Sequence, residues 1–235
     1  GGGGWGGGGG GRVGGGGGLR GGADGCARAG SSRRGLLPGG EAAVGEIGRV
    51  ALSLLWDAGL PADGAPLPSE KGKAITVMLD KGIACTPASS IGRLFDGVYS
   101  LLTGVSAVSC EGEGAVLLEA MQRPGAAGRR YPLAFYVEDG VRRFDFRPLV
   151  RAIVRDRNGG VPLPAIARGF HDALCEMALD QCRALNREGL PAALSGGVFR
   201  HRTIRDGVSA RHTAAGFAVL PHRRAPPGAD GLSSG

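Results

Sequence analysis

Aromatic side chains are scarce in this 235-residue chain, at 5% of residues, and lysine is nearly missing: the 28 basic side chains include only Lys71, Lys73 and Lys81. A protein that grips single-stranded nucleic acid needs aromatic faces set along a basic groove, and here the aromatics are sparse and the basic residues scattered. The net charge of +7 is spread along the chain, which fits a solvated surface. The arginine bias, like the abundance of glycine and alanine, also follows from a GC-rich genome. No nucleic-acid partner is expected. The five cysteines, Cys26, Cys85, Cys110, Cys175 and Cys182, form no C-x-x-C pair and are odd in number, so neither a disulfide framework nor a zinc knuckle is indicated. A reducing cytoplasm suits them. Apolar runs such as "VALSLLW" are far too short to span a bilayer, and the start of the chain has no apolar segment of the signal-peptide kind. No membrane association is expected.

Glycine is plentiful instead. Seventeen of the first 22 residues are glycine, with almost no side chain to bury and much backbone entropy to lose. Residues 1–35 are therefore expected to be disordered, leaving residues 36–235 as the folding unit. Within it, residues 41–58 place Val44, Ile47, Val50, Leu54 and Leu55 at helical spacings. Residues 61–72 read as a loop, and the stretch beginning at Ala74 reads as a short helix or a strand. Ser89 or Ser90 can cap a helix with Ile91, Leu94, Phe95, Val98, Leu101 and Leu102 on its apolar face, ended by Gly104. A helix is predicted over 112–123, a hairpin around Asp139-Gly140, and a long helix over 164–189. The chain closes as strand, Gly-Gly turn, helix and strand, which predicts a parallel pair in an α/β fold.

The turn lies in "ALSGGVFRHR". Without side chains at Gly196 and Gly197, backbone N–H groups can approach a phosphate at the helix start; a plain tight turn is the other reading. No Walker lysine follows, and no G-x-G-x-x-G is present.

Several stretches together narrow the choice: "LLPGGEAAVGEIGRVALSLL", "SSIGRLFDGVYSLLTGV", "VSCEGEGAVLLEAM", "IARGFHDAL", "LSGGVFRHR" and "VLPHRRAPPGADGLSSG". In this order and spacing they resemble the C-terminal region of the hydrogenase maturation carbamoyltransferase family, HypF, over about residues 36–235. The resemblance implies an actin-like ATPase (ASKHA) fold, mainly its C-terminal half, shared with threonylcarbamoyl transferases. It implies that carbamoyl phosphate and ATP give a carbamoyl-adenylate, whose carbamoyl group passes to the C-terminal cysteine of a HypE-like partner for cyanide-ligand synthesis. It also implies a divalent metal, iron or zinc.

On the matching positions, Ser195, Gly196 and Gly197 are expected to cradle phosphate. Asp96 is expected on the nucleotide or its ribose, where a carboxylate can accept two hydroxyl hydrogen bonds; an exposed helix carboxylate is the plainer reading. Glu111 is a weaker candidate for a polar contact. His201 stands where the family's nucleotide-contacting asparagine is usual, and Arg200 replaces the preceding glutamine. Near the end, Ala229 occupies the place of the family's metal-binding aspartate and Asp230 lies one residue late. Asp230 serves only if the loop adjusts, because one residue shifts a ligand by over ~3 Å. The family's metal-binding histidine motif does not appear. His171 is expected to pack or to lie on the surface, and His212 and His222 to face solvent. Two readings stay open: a carbamoyltransferase with a partial site, and a non-catalytic, degenerate relative that folds and at most binds nucleotide or a partner protein.

Overall fold

The computed structural model describes residues 17–22, 25–123, 128–186, 192–194 and 197–220. Strand β1 (Gly17–Gly22) turns back on β2 (Gly25–Ser32), and β2 runs parallel to β6 (Val141–Asp145). With β5 (Ala134–Glu138) these form a four-stranded sheet in the order β1-β2-β6-β5. Residues 17–22 and 25–32, within the stretch expected to be disordered, take part in this sheet. Strand pairing uses backbone N–H and C=O groups, which glycine supplies as well as any residue. Gln181 adds a side-chain tie, its Nε2 donating to the Ser31 carbonyl at 3.3 Å and the Arg142 carbonyl at 3.2 Å. A Cβ at Gly30 would lie 2.8 Å from Leu185 Cδ1, so glycine there lets the neighbouring helix close on the strand.

The first predicted helix is two: α1 (Ala42–Gly45) and α2 (Ile47–Asp57), broken at Glu46 (φ −93°, ψ 74°). The break has backbone partners. Val108 N–H donates to Gly45 O and Gly48 N–H to Ser106 O, both at 2.9 Å, so the apolar segment near Val108 docks on the junction. The expected loop ends at residue 68, where α3 (Ser69–Lys81) begins; Gly82 closes it in the left-handed region at φ 64°. Strands β3 (Gly35–Pro38) and β4 (Cys85–Ala88) pair antiparallel.

Helix α4 (Ile91–Thr103) matches its prediction, with Ser90 at its N-terminus and Gly104 left-handed at its end. Its apolar face packs on α2 so closely that a Cβ at Gly97 would meet Leu54 Cδ1 at 2.4 Å. Helix α5 (Glu113–Ala120) follows, and the β5–β6 hairpin turns at Asp139 and Gly140, both with positive φ, as a two-residue Asp-Gly turn requires. Helix α6 (Arg147–Asn158) had no counterpart in the sequence reading; Leu149, Val150 and Ile153 bury its inner face. The long helix α7 (Leu163–Leu185) carries Ile166 and Phe170 into the same core, which also holds Phe95, Phe144 and Leu52. Each such side chain removed from water stabilises the fold by roughly 1.5–3 kcal/mol. The chain then runs through β7 (Ala192–Ala193), a 3₁₀ turn (Gly197–Arg200), α8 (Arg202–Ala214) and β8 (Val219–Leu220). Among the described residues no helix is long and apolar enough to cross a membrane.

Candidate nucleotide site

Strands β7 and β8 pair parallel, Ala192 with Val219 and Ala193 with Leu220, so α8 is the crossover between them. This is the strand, turn, helix and strand unit that the sequence predicted. Ser195 and Gly196 lie outside the described residues. Gly197 opens the 3₁₀ turn and is exposed; a Cβ added there would meet nothing within 4 Å.

His201 is the N-cap residue of α8 but makes no side-chain cap hydrogen bond. One backbone donor of that helix end is met from elsewhere. Glu119 on α5 reaches across, its Oε1 accepting from the Thr203 N–H at 2.6 Å and its Oε2 lying 3.4 Å from His201 Nδ1. A carboxylate at a helix N-terminus also meets the positive end of the helix dipole. Burial alone would raise the Glu119 carboxyl, but the Thr203 N–H and hydroxyl and the His201 ring together hold it below its ordinary value. The His201 ring stacks on Phe95 of α4, with 5.6 Å between centroids and 19° between planes. Phe95 in turn meets the edges of Phe170 and His171.

Asp96, the next residue on α4, faces another way. It is 1% exposed, which rules out the exposed helix carboxylate. Its Oδ2 lies 3.0 Å from Arg93 Nη1, an ion pair whose geometry falls short of a hydrogen bond: both carboxylate oxygens, and Arg93 Nε and Nη1, are buried without hydrogen-bond partners. Helix α5 covers the carboxylate, since a Cβ at Gly114 would come within 2.9 Å of Oδ1. Burial pushes the Asp96 carboxyl up to about 6, with Arg93 acting against the rise and Glu111 adding to it. Glu111 has a mostly exposed side chain, and its Oε1 accepts from Arg93 Nη2 at 3.1 Å. Thus Asp96 and Glu111 meet at Arg93, while His201 belongs to a second group with Glu119 and Phe95. Arg93 and Glu119 escaped sequence reading. The i,i+3 spacing of Arg93 and Asp96 hinted at the first; nothing local marks a contact between residues 84 positions apart.

The histidines need one correction. His171 is fully buried, as a packing role requires, with Nδ1–H donating to the Ala167 carbonyl at 2.7 Å and Nε2 left buried without a partner. His212 does not face solvent: it is 2% exposed, its Nδ1–H donating to the Val208 carbonyl at 2.8 Å. In both, the carbonyl fixes the tautomer and burial lowers the pKa. His222 and Asp230 lie outside the described residues. Among the described residues no group of three or more His, Cys, Asp or Glu is placed to hold a metal ion. The described donors do not fit a metal. Burial pushes the Cys175 thiol up to about 11, far from a reactive thiolate.

The comparisons with known proteins bear on this site. A family model described as "Carbamoyltransferase, Kae1-like Domain, second subdomain" matches residues 2–235. The chain is 32% identical over 139 residues to carbamoyltransferase HypF of Synechocystis sp., covering 59% of this chain and 18% of that one. It is 30% identical over 212 residues to a carbamoyltransferase HypF homolog of Cupriavidus necator, covering 85% and 53%. A HypF of Rhizobium leguminosarum bv. viciae is 32% identical over 215 residues, covering 88% and 27%. The chain therefore spans about half, or less, of the length of these relatives. Among solved structures, a full-length HypF in the phosphate- and nucleotide-bound form superposes with a TM-score of 0.80 at 25% identity, over 88% of this chain and 28% of that one. The HypF of T. kodakarensis shares the fold, with a TM-score of 0.73 at 24% identity over the same 88% and 28%. The α/β architecture is accordingly the Kae1-like form of the actin-like ATPase fold, and the chain belongs to the HypF carbamoyltransferase family, in its C-terminal region.

Proposed function

We propose that this chain supplies the nucleotide-holding part of a HypF-type carbamoyltransferase. In this reading ATP, carbamoyl phosphate and water give carbamoyl-adenylate, pyrophosphate and phosphate. The C-terminal cysteine thiolate of a HypE-like partner then attacks the carbamoyl carbon: a C–S bond forms, the C–O bond to the nucleotide breaks, and AMP leaves with the electron pair. The product serves cyanide-ligand synthesis for nickel-iron hydrogenase in the cytoplasm. The thiolate comes from the partner, so none of this chain's cysteines is needed as nucleophile.

The observation that carries the reading is the parallel β7–β8 pair with the 3₁₀ turn from Gly197 and α8 between them, where a Cβ at Gly197 would meet none of the described residues within 4 Å. Backbone N–H groups of Ser195, Gly196 and Gly197 would face phosphate at a helix start, where orphan donors and the helix dipole favour an anion. His201 would contact the nucleotide with a ring already fixed by Phe95. Asp96 would take the ribose hydroxyls and Glu111 a further polar contact. A metal ligand at Asp230 belongs to the same proposal.

One specific observation favours the second reading, a non-catalytic relative. Asp96 sits beneath α5, paired with Arg93, and reaches a ribose only after α5 withdraws. Turnover separates the two. With ATP, carbamoyl phosphate, a HypE-like partner and iron or zinc supplied, the carbamoyltransferase reading expects AMP and pyrophosphate whose formation requires carbamoyl phosphate and disappears in Asp96→Ala. No such cleavage under these conditions selects the non-catalytic reading.

A further inference from the structure

The carboxylate of Glu119 joins α5 to the start of α8, and its two oxygens are divided between two neighbours. Oε1 accepts from the Thr203 N–H at 2.6 Å, and Oε2 lies 3.4 Å from His201 Nδ1. His201 caps α8 and stacks on Phe95, and its own N–H donates to the Val198 carbonyl at 3.3 Å within the 3₁₀ turn. That turn begins at Gly197. The Thr203 N–H and the His201 ring are therefore linked, within one turn of backbone, to the 3₁₀ turn that begins at Gly197. Beside this junction lies His171, fully buried, with Nε2 unpartnered.

We propose that Glu119 is a positioning residue for the nucleotide: by fixing the first turn of α8 and the His201 ring, it sets the geometry in which His201 and the 3₁₀ turn from Gly197 meet the nucleotide. The proposal rests on the nucleotide reading above. Glu119 does not touch the ligand; it acts through His201 and the Thr203 backbone. Its carboxylate is suited to the task because a charged acceptor makes a stronger bond to a helix-terminal N–H than a neutral one.

The test uses the whole chain, ATP titrations and amide hydrogen exchange on four proteins: wild type, Glu119→Ala, Glu119→Gln and Asp172→Asn. Glutamine keeps an acceptor for the Thr203 N–H. Asp172 ties the other end of α8 to α7, its Oδ1 accepting from Arg211 Nη2 at 2.7 Å, so its variant loosens the helix away from the junction. Glu119→Ala is expected to weaken ATP binding about tenfold, the scale on which a displaced supporting contact is felt. It should also speed exchange of the Thr203 amide. Glu119→Gln should recover most of the affinity, and Asp172→Asn should lower the melting temperature while binding ATP as wild type does. The proposal is overturned if Glu119→Ala leaves Thr203 exchange unchanged, or if Asp172→Asn weakens ATP binding as much as Glu119→Ala does. A wild-type chain that binds no ATP defeats the nucleotide reading instead, and Thr203 exchange then still reports whether Glu119 holds the helix start.

Discussion

His201 lies flat against Phe95, 5.6 Å between ring centroids, so the residue that follows the glycine turn is seated on the helix that carries Asp96. Phe95 is fully buried and also meets Phe170 at 5.0 Å, edge to face. Truncating it removes the platform for His201 and leaves a cavity between α4 and α7. Phe95→Ala is expected to cost about 3–5 kcal/mol in denaturant unfolding, while Phe95→Leu, which refills most of the volume, costs much less. Equal losses for both would show that the ring faces, not the filled volume, dominate.

The Asp96 carboxyl gives the fold a pH dependence. Burial raises it from 3.8 to about 6, so between these values the native state holds a proton that the unfolded chain has released. The stability this group contributes is complete below its unfolded value and is lost as pH rises through the folded one, by on the order of 3 kcal/mol. Asp96→Asn cannot ionise. Its stability relative to wild type should therefore improve as pH is raised from about 5 to about 8, read by urea unfolding at both. A difference that stays constant with pH would contradict the buried, unsatisfied carboxylate.

The glycine-rich strands make a prediction that disorder would not. Gln181 bridges the Ser31 and Arg142 carbonyls, tying β2 and β6 to α7. Gln181→Ala leaves both carbonyls without that donor and should cost about 1–3 kcal/mol. Deleting residues 1–32 should likewise lower the melting temperature. A deletion that leaves it unchanged would support the view of that segment as unstructured.

These particulars mark where the sequence was legible. The hairpin at Asp139-Gly140, the end of α4 at Gly104 and the parallel pair around the glycine turn depend on local chemistry: positive φ, apolar spacing and strand-helix alternation. Strands β1 and β2 were invisible because glycine has no side chain to alternate, and β2 is held by β6 from far along the chain. Helix α6 was hidden behind its arginines, although Leu149, Val150 and Ile153 have helical spacing. At the site, the glycine turn and Asp96 stood out through the family motif. The burial of Asp96 under Gly114, and the reach of Glu119 to Thr203, depend on how α5 packs against α4 and α8, and no local pattern encodes that.

The most direct measurement is ATP binding by the whole chain, wild type against Gly197→Val. Because a Cβ at Gly197 would meet none of the described residues within 4 Å, the variant should keep its melting temperature. The account predicts that wild type binds ATP and that Gly197→Val, its new side chain standing where phosphate would approach, does not. A Gly197→Val protein that is folded and binds ATP as wild type does would contradict a phosphate site at the glycine turn.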